Sequence, residues 1–224
     1  MVGAGRVPRG TQNAQQFLEN LVIMDKLPGA ENEVNITPIN HFVARHRKVV
    51  MKVVHLALHF LRTENGRDGL QNVLQRLITD WNRFGMVHIF PHSEDHTDAN
   101  TRLQWVNLFL EQLENNHPEI RISPNDDMGG ADAETTRLPW LNAGETIHAF
   151  NPRGSCRVSL NSMSIRSALG AADAAVNPGT SGEQRNKALT NWAHHIFIMS
   201  IALAHEYVHI FVGMFTGALD HEPP

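Results

Sequence analysis

The strongest periodicity in the chain begins at Asn40. Phe42, Val43, Val49, Val50, Val53, Val54, Leu56, Ala57, Phe60 and Leu61 recur near helical spacing and stop at Arg62-Thr63-Glu64-Asn65, ahead of Gly66. This predicts a helix of about six turns. A second helix is predicted from Asp68, with Leu70, Val73, Leu74, Leu77, Ile78 and Trp81 on one face, ending before Gly85. Residues 86–90, between Gly85 and Pro91, have the make-up of a short strand. Leu103, Val106, Leu108, Phe109, Leu110 and Leu113 then predict a third helix that stops before Pro118, with Thr97 or Asp98 as its cap.

The remaining segments are read from their breakers. Residues 1–37 are rich in Gly, Asn, Gln and Pro without a sustained period and read as an irregular arm, apart from a short helical turn around residues 14–24. Residues 123–143, with Pro124, Gly129, Gly130 and Pro139, read as a long surface loop. Two strands, 146–150 and 155–161, flank Asn151-Pro152-Arg153-Gly154 and predict a hairpin. In its second arm Cys156, Val158 and Leu160 alternate with Arg157, Ser159 and Asn161, which suits an edge strand with one core face. A short helix over 163–175, a loop over 177–182, and a long helix over 183–215 complete the chain. The second half of that last helix is apolar nearly all round, so it is expected to be buried on most sides. Together these elements predict one α+β domain over residues 38–219, with several helices and a small mixed or antiparallel sheet, followed by a tail at 220–224.

Composition narrows the function classes. The 224 residues are 42% apolar and 19% charged, enough to bury a core. A formal charge of -4 gives no general pull toward nucleic acid or anionic membranes, so neither is an expected partner. The longest apolar run, Ile196 to Ala204, is far short of the roughly 20 residues that span a bilayer. No export signal is read at the N-terminus, and the single cysteine, Cys156, suits a reducing compartment, so a soluble, cytoplasmic protein is expected.

The candidate chemistry lies in the last helix, at His205-Glu206-Tyr207-Val208-His209. Residues four apart on a helix differ by about 40° in direction and about 6 Å in height, so His205 and His209 share a face and can grip one ion. Neutral imidazole is a good zinc ligand, and this spacing supplies two of them without bending the backbone. Glu206 is turned by about 100° from His205 and borders the metal face, where a carboxylate can take a proton from a metal-activated water. With fourteen His and thirteen Glu, the pattern is expected by chance about 0.05 times in a chain of this length. The alternative for these residues is a pair of satisfied core histidines beside a salt-bridged glutamate.

This pentad, its apolar approach helix and the strand at 156–161 resemble the catalytic core of the zincin metallopeptidases. More loosely, the stretch from Cys156 through Asn186-Lys187-Ala188-Leu189 to Ile210-Phe211-Val212-Gly213 resembles uncharacterised fungal zincin-like proteins. The resemblance covers about residues 145–217 and implies a buried active-site helix, a Zn2+ cofactor, a peptide or protein substrate, and an edge strand that holds that substrate extended. Val212 and Phe215 occupy the positions where the metzincin branch has Gly and His, so that branch is excluded and a gluzincin type is implied. In gluzincins the third ligand is a glutamate on a later helix, yet only fifteen residues follow His209. Asp220, His221 and Glu222 are the tail candidates, with His221 and Glu222 favoured on reach; the other reading is a chain that continues in a longer protein. Loss of the third ligand would instead leave a degenerate, non-catalytic zincin-like interaction protein.

Other candidates are weaker. His194 lies about 16 Å along the helix from His205 and is placed to line a cleft, whereas His195 is read as structural. His55 and His59 repeat the four-residue spacing without the neighbouring carboxylate and are read as packing or surface residues. His92, Glu94, Asp95, His96 and Asp98 form a polar loop cluster, read as solvated or capping rather than as a source of a metal ligand. Arg45-His46-Arg47-Lys48 with Lys52 reads as a solvated basic face, and the ring of Tyr207, the only tyrosine, is expected to pack beside the helix. Oligomeric state and cleavage preference leave no mark in the sequence.

Overall fold

The computed structural model describes residues 23–26, 36–38, 44–84, 98–138 and 147–216. Its elements run β1 (Ile23–Lys26), β2 (Ile36–Pro38), α1 (Ala44–Arg62), α2 (Glu64–Phe84), α3 (Ala99–Asn115), β3 (Glu119–Ser123), β4 (Ala133–Arg137), α4 (Pro152–Ser155), β5 (Cys156–Asn161), α5 (Ser162–Val176) and α6 (Gly182–Thr216). The protein is α+β, with a five-stranded mixed sheet of order β2-β1-β3-β5-β4. The three inner strands run parallel, and β2 and β4 are antiparallel edges.

The helices stand close to where the apolar period put them. Asp98 caps α3, its carboxylate accepting from the Thr101 N–H at 3.1 Å. The first helix stops at Arg62 as expected, but the second starts at Glu64 rather than Asp68; Gly66 sits in its first turn, where a Cβ would come within 2.2 Å of the Phe60 carbonyl oxygen. The α1–α2 corner at Thr63 therefore closes only because position 66 has no side chain. At α6, Ser181 and Gln184 form a capping box: the Ser181 N–H donates to Gln184 Oε1 at 3.0 Å and the Gln184 N–H to Ser181 Oγ at 3.3 Å.

The sheet departs from the sequence reading in four ways. First, β1 and all of β2 but Pro38 fall within the stretch read as an irregular arm, and Met24 is in a strand rather than a helical turn. Second, β3 and β4 were not legible, β4 lying inside the expected loop at 123–143. Of β4 only Ala133 is buried, because an edge strand that is half solvated needs no apolar alternation. Third, the expected hairpin does not form. Residues 147–149 make a 3-10 turn, and Asn151-Pro152 starts α4, with the Asn151 side chain accepting from the Arg153 N–H at 3.1 Å and Pro152 in a first helical position, where its missing N–H costs nothing. Fourth, β5 is interior: it pairs parallel with β3, Ile120 opposite Val158 and Ile122 opposite Leu160, and antiparallel with β4. Its predicted alternation holds from Cys156 to Leu160, with Cys156, Val158 and Leu160 buried, but Asn161, expected on the polar side, is buried too, its amide donating to Asn125 Oδ1 and the Ala131 carbonyl. The strand expected over 86–90 lies outside the described residues.

One core joins the sheet to the helices, from Ile120, Val158 and Leu160 through Val50, Val53 and Phe109 to Leu203, Tyr207 and Phe211. The Phe109 and Phe211 rings lie 4.9 Å apart, and Phe211 meets Phe215 edge-on at 5.1 Å. Helix α6 is the hub, packing against α1, α2, α5 and strands β4 and β5. By length and hydropathy α6 is long and apolar enough to cross a membrane, but 56% of its most apolar window is buried inside the fold, as in the core helix of a soluble protein.

Candidate metal centre

Helix α6 brings the candidate residues to the rim of the core rather than its centre. Glu206 and Tyr207 are buried, His209 is half-buried and His205 is exposed. The expectation of burial on most sides thus holds for residues 210–216 but not for the face that carries the histidines. That difference suits a site that must be reached from solvent. His205 Nε2 and His209 Nε2 point at one another at 3.0 Å, with their rings at 86°. Two nitrogens bound to one tetrahedral zinc at about 2.05 Å each stand about 3.3 Å apart, so the pair needs to open only slightly to take an ion. A ligand atom of Glu206 completes a group whose members all lie within 4.8 Å of one another.

Strand β4 fixes this part of the helix from the side. The Thr135 hydroxyl donates to the Glu206 carbonyl at 3.3 Å. One turn beyond His209, Gly213 lets Arg137 cross the helix, since a Cβ there would stand 3.0 Å from Arg137 Cδ. The edge strand on this flank is therefore β4, not β5 as expected, and its register to β5 sets its height along α6.

The back of the helix is held by a pair that the sequence reading missed. His117 follows α3, is buried, and accepts at Nε2 from the Tyr207 hydroxyl at 2.6 Å. Its Nδ1 lies 2.7 Å from the Pro118 carbonyl, which can only accept, so Nδ1 carries the proton and Nε2 the lone pair. Burial lowers the His117 pKa to about 4, partly offset by the Pro118 bond, so it is neutral near pH 7. Burial also raises the Tyr207 phenol well above its usual range, leaving it a donor. Tyr207 packs against the helix as expected; its partner, 90 residues away, left no local signal.

The remaining candidates separate clearly. His55, His59 and His194 are exposed and His195 is half-buried; none joins a three-ligand group among the described residues. Arg45 pairs with Asp173, and Lys52 sits 5.6 Å over the Trp192 ring. Cys156 is buried and its thiol is pushed up to about 12 by burial, with Arg137 acting the other way, so it is neither a thiolate ligand nor a nucleophile at neutral pH. His221, Glu222 and Asp220 lie outside the described residues, as does most of the 92–98 cluster; of that cluster Asp98 is the α3 cap. The chain matches no family model, no curated protein and no solved structure.

Proposed function

We propose that the protein is a zincin-like, zinc-dependent peptidase of the gluzincin type, soluble and cytoplasmic. The observation that carries this is the convergence of His205 Nε2 and His209 Nε2 at 3.0 Å with the Glu206 carboxylate beside them. His205 and His209 would hold the ion, and His221 or Glu222 would supply the third ligand. A bound zinc would supply Lewis acidity, which lowers the pKa of a water at the site toward about 7. Glu206 is the general base: its buried carboxylate takes the proton of the attacking water and returns it to the leaving amine. An extended substrate pairs with the outer edge of β4, which has no further strand beyond it among the described residues and packs on α6.

Zinc per chain, measured by elemental analysis, tests the metal assignment: about one in the wild type and none in the His205→Ala, His209→Ala double variant. Equal, near-zero metal in both ends the proposal. A second reading, a non-catalytic zincin-like interaction protein, is favoured by one observation. Among the described residues no His, Cys, Asp or Glu beyond these three joins the group. Glu206→Gln separates the two readings, because in a peptidase it keeps the metal and loses cleavage by about a hundredfold or more. A wild type that binds zinc and cleaves no peptide pool supports the second reading.

A further inference from the structure

Strand β4 directs one set of backbone groups and one row of side chains away from the rest of the sheet. Its ladder with β5 closes on even-numbered positions at both ends: the Asn161 N–H donates to the Asp132 carbonyl at 3.0 Å, and the Leu138 N–H to the Ser155 carbonyl at 2.7 Å. Backbone groups of successive residues in an antiparallel pair point to opposite edges. Glu134, opposite Ser159, and Thr136, opposite Arg157, therefore bond inward to β5, and the N–H and C=O of Ala133 and Thr135 point to the outer edge. Side chains alternate as well. Ala133 is buried and Thr135 reaches the Glu206 carbonyl on the α6 side, so Glu134 and Thr136 stand exposed on the opposite face of the sheet. Among the described residues the Glu134 carboxylate has no hydrogen bond or ion pair. Arg157 is diagonal to it across β5 and is itself in register with Glu119 of β3.

The outer edge of β4 is also the edge nearer the metal pair. Counted round the α6 axis from His205, His209 lies at about 40°, Gly213 at about 80°, Glu206 at about 100°, and Leu203 and Tyr207 at about 160° and 200°. β4 meets the helix at Glu206 and Gly213, through Thr135 and Arg137, while β5 buries Val158 and Leu160 in the same core as Leu203 and Tyr207. The step from β5 to β4 thus runs toward the histidines, and one more strand, about 4.8 Å farther on, reaches the His209 side of the helix.

We propose that Glu134 sets the sequence preference of the peptidase by pairing with a Lys or Arg of the substrate. The proposal rests on the peptidase reading of the metal pair. A segment laid antiparallel on the outer edge exchanges both backbone bonds with Thr135 through one residue, whose side chain turns toward α6. Its two neighbours turn to the other face, one beside Glu134 and one beside Thr136. Because Glu134 bonds inward to β5, its pairing with a further strand is of the non-hydrogen-bonded kind, with Cα atoms about 4.5 Å apart and side chains at their closest. At that spacing opposite charges attract and like charges repel, so Lys or Arg is favoured there and Asp or Glu disfavoured. Thr135 is tied to Glu206, so the selected side chain belongs within two residues of the cleaved bond.

The test compares cleavage, by the full zinc-loaded chain, of peptides that carry Lys, Gln or Glu singly at each position around the cleaved bond. At one position within two residues of that bond, kcat/KM for Lys is expected to exceed that for Glu about threefold or more, with Gln between. Glu134→Gln should bring this ratio to about one and Glu134→Lys should reverse it. Each ratio is taken within one protein, so a change in the folded or metal-loaded fraction cancels. The same order is expected in binding, read by anisotropy with labelled peptides and the Glu206→Gln chain, and should fade as salt is raised from about 0.05 to about 0.5 M. Cleavage or binding without a preference for Lys, or a preference that survives Glu134→Lys, overturns the role of Glu134 and leaves the peptidase reading standing. A wild type that holds zinc and cleaves none of the peptides overturns the peptidase reading, and the role of Glu134 toward a substrate falls with it.

Discussion

Lowering the pH should destabilise the fold through His117, by an amount that follows from its surroundings. In the unfolded chain the imidazole titrates near the ordinary value of 6.5, and in the fold at about 4. Above pH 6.5 it is neutral in both states and contributes no pH dependence. Below 6.5 the unfolded chain takes up a proton that the folded chain refuses, so stability falls as pH falls and levels off below about 4. The loss is about 2 kcal/mol at pH 5 and about 3 kcal/mol at pH 4, from the separation of the two pKa values at 1.36 kcal/mol per unit. His117 is 1% exposed, so solvent screening does not erode the effect. Carboxylates titrate in the same range, and comparison with His117→Gln removes them, since Gln keeps an acceptor for the Tyr207 hydroxyl but does not ionise. Urea unfolding at pH 7.5, 6, 5 and 4.5 gives the free-energy difference between wild type and variant. That difference should shift against the wild type by about 2 kcal/mol between pH 7.5 and 5. A difference that stays constant over this range would show that His117 is not held neutral by burial, and the tautomer assigned from Pro118 would lose its basis.

Further outcomes follow from single contacts. Tyr207→Phe removes the hydroxyl that donates to His117 Nε2 and leaves a buried lone pair, so unfolding at pH 7.5 should cost about 1 to 3 kcal/mol less. In a double-mutant cycle with His117→Phe the two losses should be markedly non-additive; additive losses would deny the bond. Gly66→Ala should destabilise by about 1 to 3 kcal/mol in urea, because the new methyl meets the Phe60 carbonyl, which is backbone and can move only by shifting α1 against α2. An unchanged midpoint would refute that corner geometry. If His221 or Glu222 supplies the third ligand, zinc affinity in a competitive chelator titration should fall at least tenfold for His221→Ala or for Glu222→Ala; unchanged affinity in both removes these two residues from the site.

By itself the sequence determined whatever depends on neighbours along the chain. The 3.6-residue period of α1, α2 and α3, the Asp98 cap and the His205–His209 pairing all follow from geometry internal to one helix, so residues a few positions apart suffice to read them. The alternation of β5 was legible for the same reason. Tertiary structure decided everything that depends on a distant partner. Whether β5 is an edge cannot be read from β5, because its place depends on β3 and β4, and β4 carries little apolar signal where one side meets water. The Asn151-Pro152 pair suits a turn or a helix start equally; in the fold the helix start buries Pro152 and Ser155 and lets Arg153 Nε donate to the distant His117 carbonyl at 3.3 Å. The apolar second half of α6 gave no sign of which face would be left open; only the packing of α1, α5 and β4 around it leaves Ile198, Ile201 and His205 toward solvent while Glu206 and Tyr207 turn inward. His117 meets Tyr207 because α3 ends beside α6, a juxtaposition that no local pattern encodes.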